Sequence, residues 1–271
     1  MEVIGAIPIV DEPMSFTSRR YVRGASTPTL VENAVQAERL LAVYVNDILT
    51  MQLGCSASHL VELVVGRLFT EGVIAHVNEI DTMSVCESSM RADVYLHDRE
   101  ADLTRPAKQI VATCCTNNIT LNEYFTEHSD LIPVQPIPWN PEWVFFVADE
   151  FAKDNTAHAR TLGSHLAYLA NRERILYVRE DIGRHNAFDK AIGSALIDGV
   201  DLSQCLLYTS GRVPTDMVVK AIRARLPLLV SKKVATDKTV EVARSLNLTL
   251  ICRAMPDSFD VLCDPLESIL G

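Results

Sequence analysis

Two adjacent thiols, Cys114 and Cys115, run into the polar stretch Thr116-Asn117-Asn118. A thiolate is a strong nucleophile, and a cysteine in a polar loop is placed to attack a sulfur donor. Consecutive Cα atoms lie about 3.8 Å apart, below the roughly 4.4 to 6.8 Å that a disulfide spans, so the pair is expected to rest as thiols. The competing reading makes both of them small buried hydrophobes at the end of a strand. Cys55, Cys86, Cys205, Cys252 and Cys263 complete a scattered set of seven with no CxxC or CxxxC spacing. That spacing disfavours a disulfide framework and structural zinc, and no metal ligands are assigned.

Two further motifs could handle anions. Glu180-Asp181-Ile182-Gly183-Arg184-His185-Asn186 follows an expected strand and precedes an expected helix. In it Gly183 permits a tight turn, Arg184 offers a planar fork for phosphate or carboxylate, and His185 can exchange a proton near neutral pH. The structural alternative is a loop held by an Asp181–Arg184 ion pair. Thr209-Ser210-Gly211-Arg212 also lies between strand and helix, where free backbone donors favour phosphate. Its plain alternative is N-capping by Ser210. His165, after Gly163-Ser164, is read as a residue near a helix start that could line the same pocket, and Trp139, Trp143 and Met217 as packing.

These residues need a scaffold. Residues 1–30, rich in Pro and Ser/Thr, read as an irregular arm with at most one edge strand. Residues 31–135 read as an α+β domain. Leu40–Val45 and Ile48–Leu53 form a hairpin about Asn46-Asp47, and a helix capped by Ser58 and ended by Glu71-Gly72 lies on it. Short strands follow at Thr82–Val85, Ala92–Leu96 and Gln109–Ala112, the last delivering the thiols. Pro133, Pro136, Pro138 and Pro141 mark a boundary near residue 135. Residues 136–271 then alternate: helices at 141–153 and 159–171, strand 175–178, helix 185–197, strand 205–209, helix 213–223, strand 228–230, helix 236–246 and strand 248–252. Successive βαβ units imply a sheet between helix layers, with sites at the carboxyl ends of its strands.

The chain has 271 residues, 48% of them hydrophobic, and a formal net charge of −10. That charge argues against broad binding to nucleic acid or anionic lipid. No apolar run reaches the roughly 18 residues of a membrane span and no secretory leader is visible, so a cytoplasmic protein is expected.

From about Glu38 to Pro265 the chain resembles the FdhD family of formate dehydrogenase accessory proteins. Glu180 to Lys190, EDIGRHNAFDK, is similar to the family's signature almost residue for residue. Phe69–Ile74, Ser210-Gly211-Arg212, Met217–Ala221 and Val240–Ala243 leading to Leu248–Leu250 add to the match. The resemblance implies an α/β architecture in which a three-layer cytidine deaminase-like domain follows a smaller α+β domain. It implies a sulfur carrier, a sulfurtransferase-type protein, that takes sulfur from a cysteine desulfurase as a cysteine persulfide. The sulfur goes to the molybdenum cofactor, in its guanine dinucleotide form, for formate dehydrogenase. It further implies a homodimer. The deaminase zinc signature is missing, so base deamination is not implied.

The expected carrier is Cys114 or Cys115, with Cys114 preferred, and the expected cofactor site comprises Arg184, His185, Ser210, Arg212 and the segment Arg253-Ala254-Met255-Pro256-Asp257-Ser258. Two departures stand out. Where the family carries CGxCG, this chain has Asn117 or Asn118 at the second cysteine, and the C-terminal segment lacks the family's Gly-Arg ending. The first departure motivates an alternative, a cofactor-binding chaperone that has lost sulfur transfer. A third reading, a hydrolase using His185 and Asp181, lacks a nucleophile as clear as the thiols.

Overall fold

A computed structural model describes residues 1–4, 13–86, 88–98, 131–153, 158 and 161–268, with the backbone alone at 109–111. Cys114, Cys115 and their loop lie outside the described residues. Alternating apolar residues in Leu40–Val45 and Ile48–Leu53 produce the hairpin the sequence predicts, β4 (Arg39–Val45) and β5 (Ile48–Cys55). Asn46 (φ 48°) and Asp47 (φ 66°) supply the left-handed pair that a tight two-residue turn needs. Four more strands complete this first sheet: β1 (Glu2–Ile4), β6 (Ile80–Cys86), β7 (Arg91–Leu96) and β8 (Gln109–Val111), in the order β1-β6-β7-β4-β5-β8. Helix α1 (Leu60–Thr70) closes one face, burying Leu60, Leu63, Val64 and Leu68 against Leu41, Val43, Leu53 and Val94. Each such side chain contributes roughly 1.5–3 kcal/mol relative to exposure.

Two expectations for this half change. Ser58 does not cap α1: His59, in the left-handed conformation (φ 55°), is the cap residue and no side chain bonds the first turn. Gly72 (φ 75°) does end the helix, its N–H donating to the Phe69 carbonyl. The segment read as an irregular arm contains two regular pieces. Strand β1 pairs in parallel with β6, and β2 (Met14–Arg20) with β3 (Thr29–Val35) forms an antiparallel ribbon separate from both main sheets. Its short, polar-interrupted strands carried too little apolar signal to be read as a pair.

The second sheet, order β10-β9-β11-β12-β13-β14, contains β9 (His165–Ala170), β10 (Ile175–Asp181), β11 (Leu206–Thr209), β12 (Leu228–Ser231), β13 (Thr249–Met255) and β14 (Ser258–Cys263). Helices α2 (Pro141–Ala152), α3 (Arg184–Ile197), α4 (Thr215–Arg223) and α5 (Asp237–Ser245) cover it. Alternate residues face opposite sides. Ala167, Leu169, Leu207, Leu229 and Leu250 meet Phe188, Ala191, Met217 and Val242 of α3 to α5. Leu166, Tyr168, Leu206, Tyr208, Leu228 and Ile251 meet Trp143, Val144, Val147 and Phe151 of α2. Asn140 caps α2, its Oδ1 accepting from Trp143 N at 3.0 Å, with Pro141 in the first helical position.

The alternating pattern places β11, β12 and β13 side by side in parallel as expected. Over His165–Ala170 the helix expected around 159–171 is instead β9, antiparallel to both β10 and β11, so α3 crosses over a strand to connect its two parallel neighbours. Strand β14, antiparallel to β13, was not anticipated. The proline-rich stretch is extended and packed, with Val134, Ile137 and Trp139 buried and Val134 N donating to the Leu246 carbonyl.

The two halves meet along α1 and α3. A Cβ added at Gly66 would sit 1.9 Å from the Asp189 carbonyl oxygen, and one at Gly193 would sit 1.9 Å from that of Glu62. The helix backbones therefore touch with no side chain between them.

Candidate functional site

The carboxyl ends of β10, β11, β12 and β13, with the amino end of β9, bring Asp181, Thr209, Ser231, Met255 and His165 to one edge of the second sheet. The loops leaving these ends carry the motifs singled out in the sequence, but they use their residues in two different ways.

Most polar residues of the 180–190 segment turn inward and bind the first half of the chain. Asp181 is fully buried; Oδ1 accepts from Gly183 N (2.9 Å) and Asn186 Nδ2 (3.0 Å), and Oδ2 accepts from Ser56 N (3.1 Å) beside Lys190 Nζ at 2.6 Å. Its ion partner is therefore Lys190, and the Asp181–Arg184 pair of the alternative structural reading is not formed. Asn186 donates to the Gly54 carbonyl at 2.7 Å, and Ile182 N donates to Ser56 Oγ at 3.1 Å. One turn on, Asp189 accepts from Thr70 Oγ1 (2.8 Å) and Lys220 Nζ (2.7 and 2.9 Å) and lies 3.2 Å from Arg67, while Glu71 stands 3.1 Å from both Arg67 and Lys220. All of these side chains are buried, so each charge is compensated where an unpaired one would be prohibitive.

His185 joins this interior. It is 6% exposed, and Nε2 lies 2.8 Å from Asp216 Oδ2 in the first turn of α4. Burial outweighs the pull of the carboxylate and lowers the imidazole pKa. Burial alone would raise the Asp216 carboxyl, but contact with His185 and the nearby Lys220 bring it below its ordinary value. The pair is accordingly a neutral imidazole against a carboxylate.

Arg184 turns the other way. Its side chain crosses Gly211, where an added Cβ would lie 3.0 Å from Arg184 Cβ and Cδ and 3.4 Å from His165 Nδ1. A side chain at this position would require Arg184 to give by a few tenths of an ångström. Ser210 is buried beneath, its Oγ accepting from Leu166 N at 2.9 Å and standing 3.4 Å from His165 Nδ1. Ser210 therefore fastens the loop to β9 and caps no helix; α4 begins at Thr215, not at the expected Val213, with Pro214 as its cap residue. Ser231 Oγ donates to the Gly211 carbonyl at 2.7 Å and accepts from Lys233 N at 2.9 Å, linking this loop to the next. Arg212 is exposed.

The segment 253–258 closes the row as the β13–β14 turn. Arg253 N donates to the Lys233 carbonyl at 2.8 Å, and its guanidinium pairs with Asp260. Ala254 is buried, its carbonyl accepting from Tyr208 Oη at 3.0 Å, whereas Met255, Pro256, Asp257 and Ser258 are exposed. Of the expected site residues, Arg184, Ser210 and Arg212 belong to contacting loops and 253–258 to a neighbouring one, while His185 is in the interior.

Sequence reasoning named His165 as a residue that could line this pocket, though near a helix start and not at the head of β9, and passed over Lys232 and Lys233. Burial, the Arg184 guanidinium and the neighbouring His158 and His185 hold the half-buried His165 imidazole at about 4, so it is neutral at neutral pH. Lys232 and Lys233 follow Ser231 in a third strand-to-helix loop, a position that strand grammar alone could have flagged. The edge thus offers guanidinium and ammonium groups, a neutral imidazole and loop amides, a donor set suited to a phosphate-bearing ligand.

Known proteins with this architecture are recognisable. The pattern of the FdhD/NarQ family matches residues 36–268. A sulfur carrier protein FdhD from Listeria innocua is 30% identical over 244 residues, covering 88% of this chain and 93% of that one. The Bacillus subtilis sulfur carrier protein FdhD is 30% identical over 251 residues, covering 91% and 94%. A crystal structure of a formate dehydrogenase accessory protein from Desulfotalea psychrophila superposes with a TM-score of 0.76 at 24% identity, over 96% of this chain and all of that one. The chain, matched across both sheets and through the 180–190 segment, belongs to the FdhD/NarQ family.

Proposed function

We propose that this protein is a sulfur carrier required for formate dehydrogenase activity, receiving sulfur from a cysteine desulfurase and passing it to the molybdenum cofactor. Family membership supports the general role. The observation that carries the site is the convergence of Arg184, Gly211, Ser210 and His165 at one sheet edge, beside Lys232 and Lys233. In this reading Cys114 is the carrier: its thiolate attacks the outer sulfur of the desulfurase persulfide, a new S–S bond forms on Cys114, and the desulfurase thiolate leaves. The guanine dinucleotide form of the cofactor is the recipient. Arg184 and Arg212 hold its phosphates with the loop amides, the 253–258 turn contacts its outer part, and His185 acts from behind by fixing the first turn of α3. Kinship of the second half with cytidine deaminases belongs to the same reading, as do a cytoplasmic location and a homodimer. No helix among the described residues is long and apolar enough to cross a membrane.

The test incubates the purified protein with a cysteine desulfurase and cysteine, then reads the peptide holding Cys114 and Cys115 by mass spectrometry, with Cys114→Ala and Cys115→Ala alongside. One added sulfur, abolished in Cys114→Ala, is expected. Binding of the cofactor with no added sulfur would replace this reading with the chaperone that the missing second cysteine suggests. Arg212→Ala is expected to weaken cofactor binding; unchanged affinity would remove Arg212 from the site.

A further inference from the structure

The rings of Trp139 and Trp143, the chain's two tryptophans, pack in the second core and are each 6% exposed. Their indole N–H groups are not accounted for by that packing. Each Nε1 is shut off from bulk water and, among the described residues, finds no acceptor. A buried donor left unpaired costs about 1–3 kcal/mol, and native interiors contain few of them. Both indoles line a recess of about 450 Å³, where the segment before α2 meets the β9–β10 turn. A single cause, an acceptor brought into this recess from outside, accounts for both donors.

The recess is held in shape by its own bonds. Arg172 Nη2 donates to the Pro138 carbonyl at 2.7 Å, tying the turn to the segment before α2. Asn171 Oδ1 accepts from Glu173 N at 3.0 Å and Arg174 N at 2.9 Å, which fixes the turn itself. Pro138 and Phe146, the latter 38% exposed, extend the apolar wall that the indoles begin. The exposed Glu142 and Glu173 put two carboxylates on the rim against the one guanidinium of Arg172, which is turned to a carbonyl. An occupant must therefore bring carbonyl oxygens to the indoles, an apolar body to the wall and a cation to the rim. An extended proline-containing chain meets all three demands, since its carbonyls have no internal partner and proline brings no N–H to bury. We propose that the recess docks such a segment of a partner protein, with Lys or Arg beside the proline. Its carbonyls accept from Trp139 and Trp143, its proline ring packs on Phe146, and its basic side chain faces Glu142 and Glu173. Strand β9 runs from His165 at the functional edge toward this turn, so at about 3.3 Å per residue the turn lies roughly 20 Å from that edge. A partner held here leaves the functional edge open.

The full chain is used to select from a phage-displayed library of random peptides of about ten residues, and the enriched peptides that lack tryptophan are titrated while tryptophan emission is followed. Because both tryptophans of the chain line the recess, a saturable change in emission reports on this place. Enriched sequences are expected to share a proline next to Lys or Arg. Phe146→Ser, a change at an exposed position, should weaken binding at least about tenfold with the urea midpoint close to wild type. Glu142→Gln combined with Glu173→Gln should weaken it less and remove its salt dependence, and this variant tests the proposal even if Phe146→Ser folds poorly. A photo-crosslinking phenylalanine analogue at position 146 should join the bound peptide. The proposal is overturned by a library that yields no peptide able to alter the emission, by enriched peptides that lack proline or are acidic, or by binding indifferent to both variants. Crosslinks from position 146 to a distant segment of this chain, with no peptide present, would also overturn it by showing the recess already filled.

Discussion

His165 and Cys86 show how far environment separates the titration of two side chains from what residue type alone implies. His165 sits at about 4 because burial and the adjacent Arg184 disfavour its charged form, whereas in the unfolded chain it titrates near 6.5. Between those values the unfolded chain binds the extra proton, so stability falls as pH drops from about 6.5 toward 4. The urea midpoint of the wild type should decline across that window, and His165→Gln should flatten the decline; an identical profile would mean that the imidazole does not feel Arg184 as the geometry requires. Cys86, exposed at the end of β6, has the opposite relation to solvent. The Ser88 hydroxyl, with Sγ to Oγ at 3.3 Å, and then Ser89 bring its thiol down to about 7, while burial pushes Cys205 up to about 12 and Cys252 to about 11. Alkylation of Cys86 should reach half its maximal rate near pH 7, and Ser88→Ala should move that midpoint upward; Cys205 and Cys252 should label only on unfolding. Labelling that ignores Ser88→Ala would dismiss the hydroxyl as the cause. The persulfide experiment is accordingly best done in a Cys86→Ser background.

At the scale of elements, the contact between α1 and α3 is the most demanding. With Cβ positions 1.9 Å from backbone oxygens on both sides, Gly66→Ala and Gly193→Ala each force the helices apart and should destabilise by at least about 1–3 kcal/mol in urea unfolding. Asp189→Ala removes a buried carboxylate that both Lys220 and Arg67 contact, leaving Glu71 beside the two cations, and should cost about 3–5 kcal/mol. If either glycine variant matched wild type, the helices would have room that this packing denies them. The sequence displayed part of this organisation and hid part of it for physical reasons. The β4–β5 hairpin was readable because one face is buried and its turn residues are distinctive. Strand β9 was not, since Leu166 to Ala170 are buried on both faces and period-two alternation vanishes in such a strand. The strand-end loops were readable as a site, but the direction each side chain takes was not: Arg184 and His185 are neighbours in sequence and point to different surroundings.

Across the whole molecule, two sheets with separate cores share one charged interior, because Asp181, Asn186, Asp189 and Lys190 of the second half are partnered by Ser56, Gly54, Thr70 and Arg67 of the first. Neither half can leave without stranding buried charge in the other, so unfolding should be a single transition. Trp139 and Trp143 both report on the second half, and Tyr44→Trp adds a reporter in the first that keeps the ring beneath Arg91, 3.9 Å away. Coincident urea curves from the two reporters are expected; separated midpoints would show that the halves melt independently.

The inward turn of the 180–190 segment changes what its presence in a sequence tells a genome annotator. Asp181, Ile182, Asn186, Asp189 and Lys190, five of the residues that make EDIGRHNAFDK recognisable, bond the second half to the first. A descendant that lost both Cys114 and Cys115 would be held to the same motif by architecture alone. The segment is thus a marker of ancestry and fold, and the sulfur transfer proposed above has to be scored by experiment on Cys114 and Cys115.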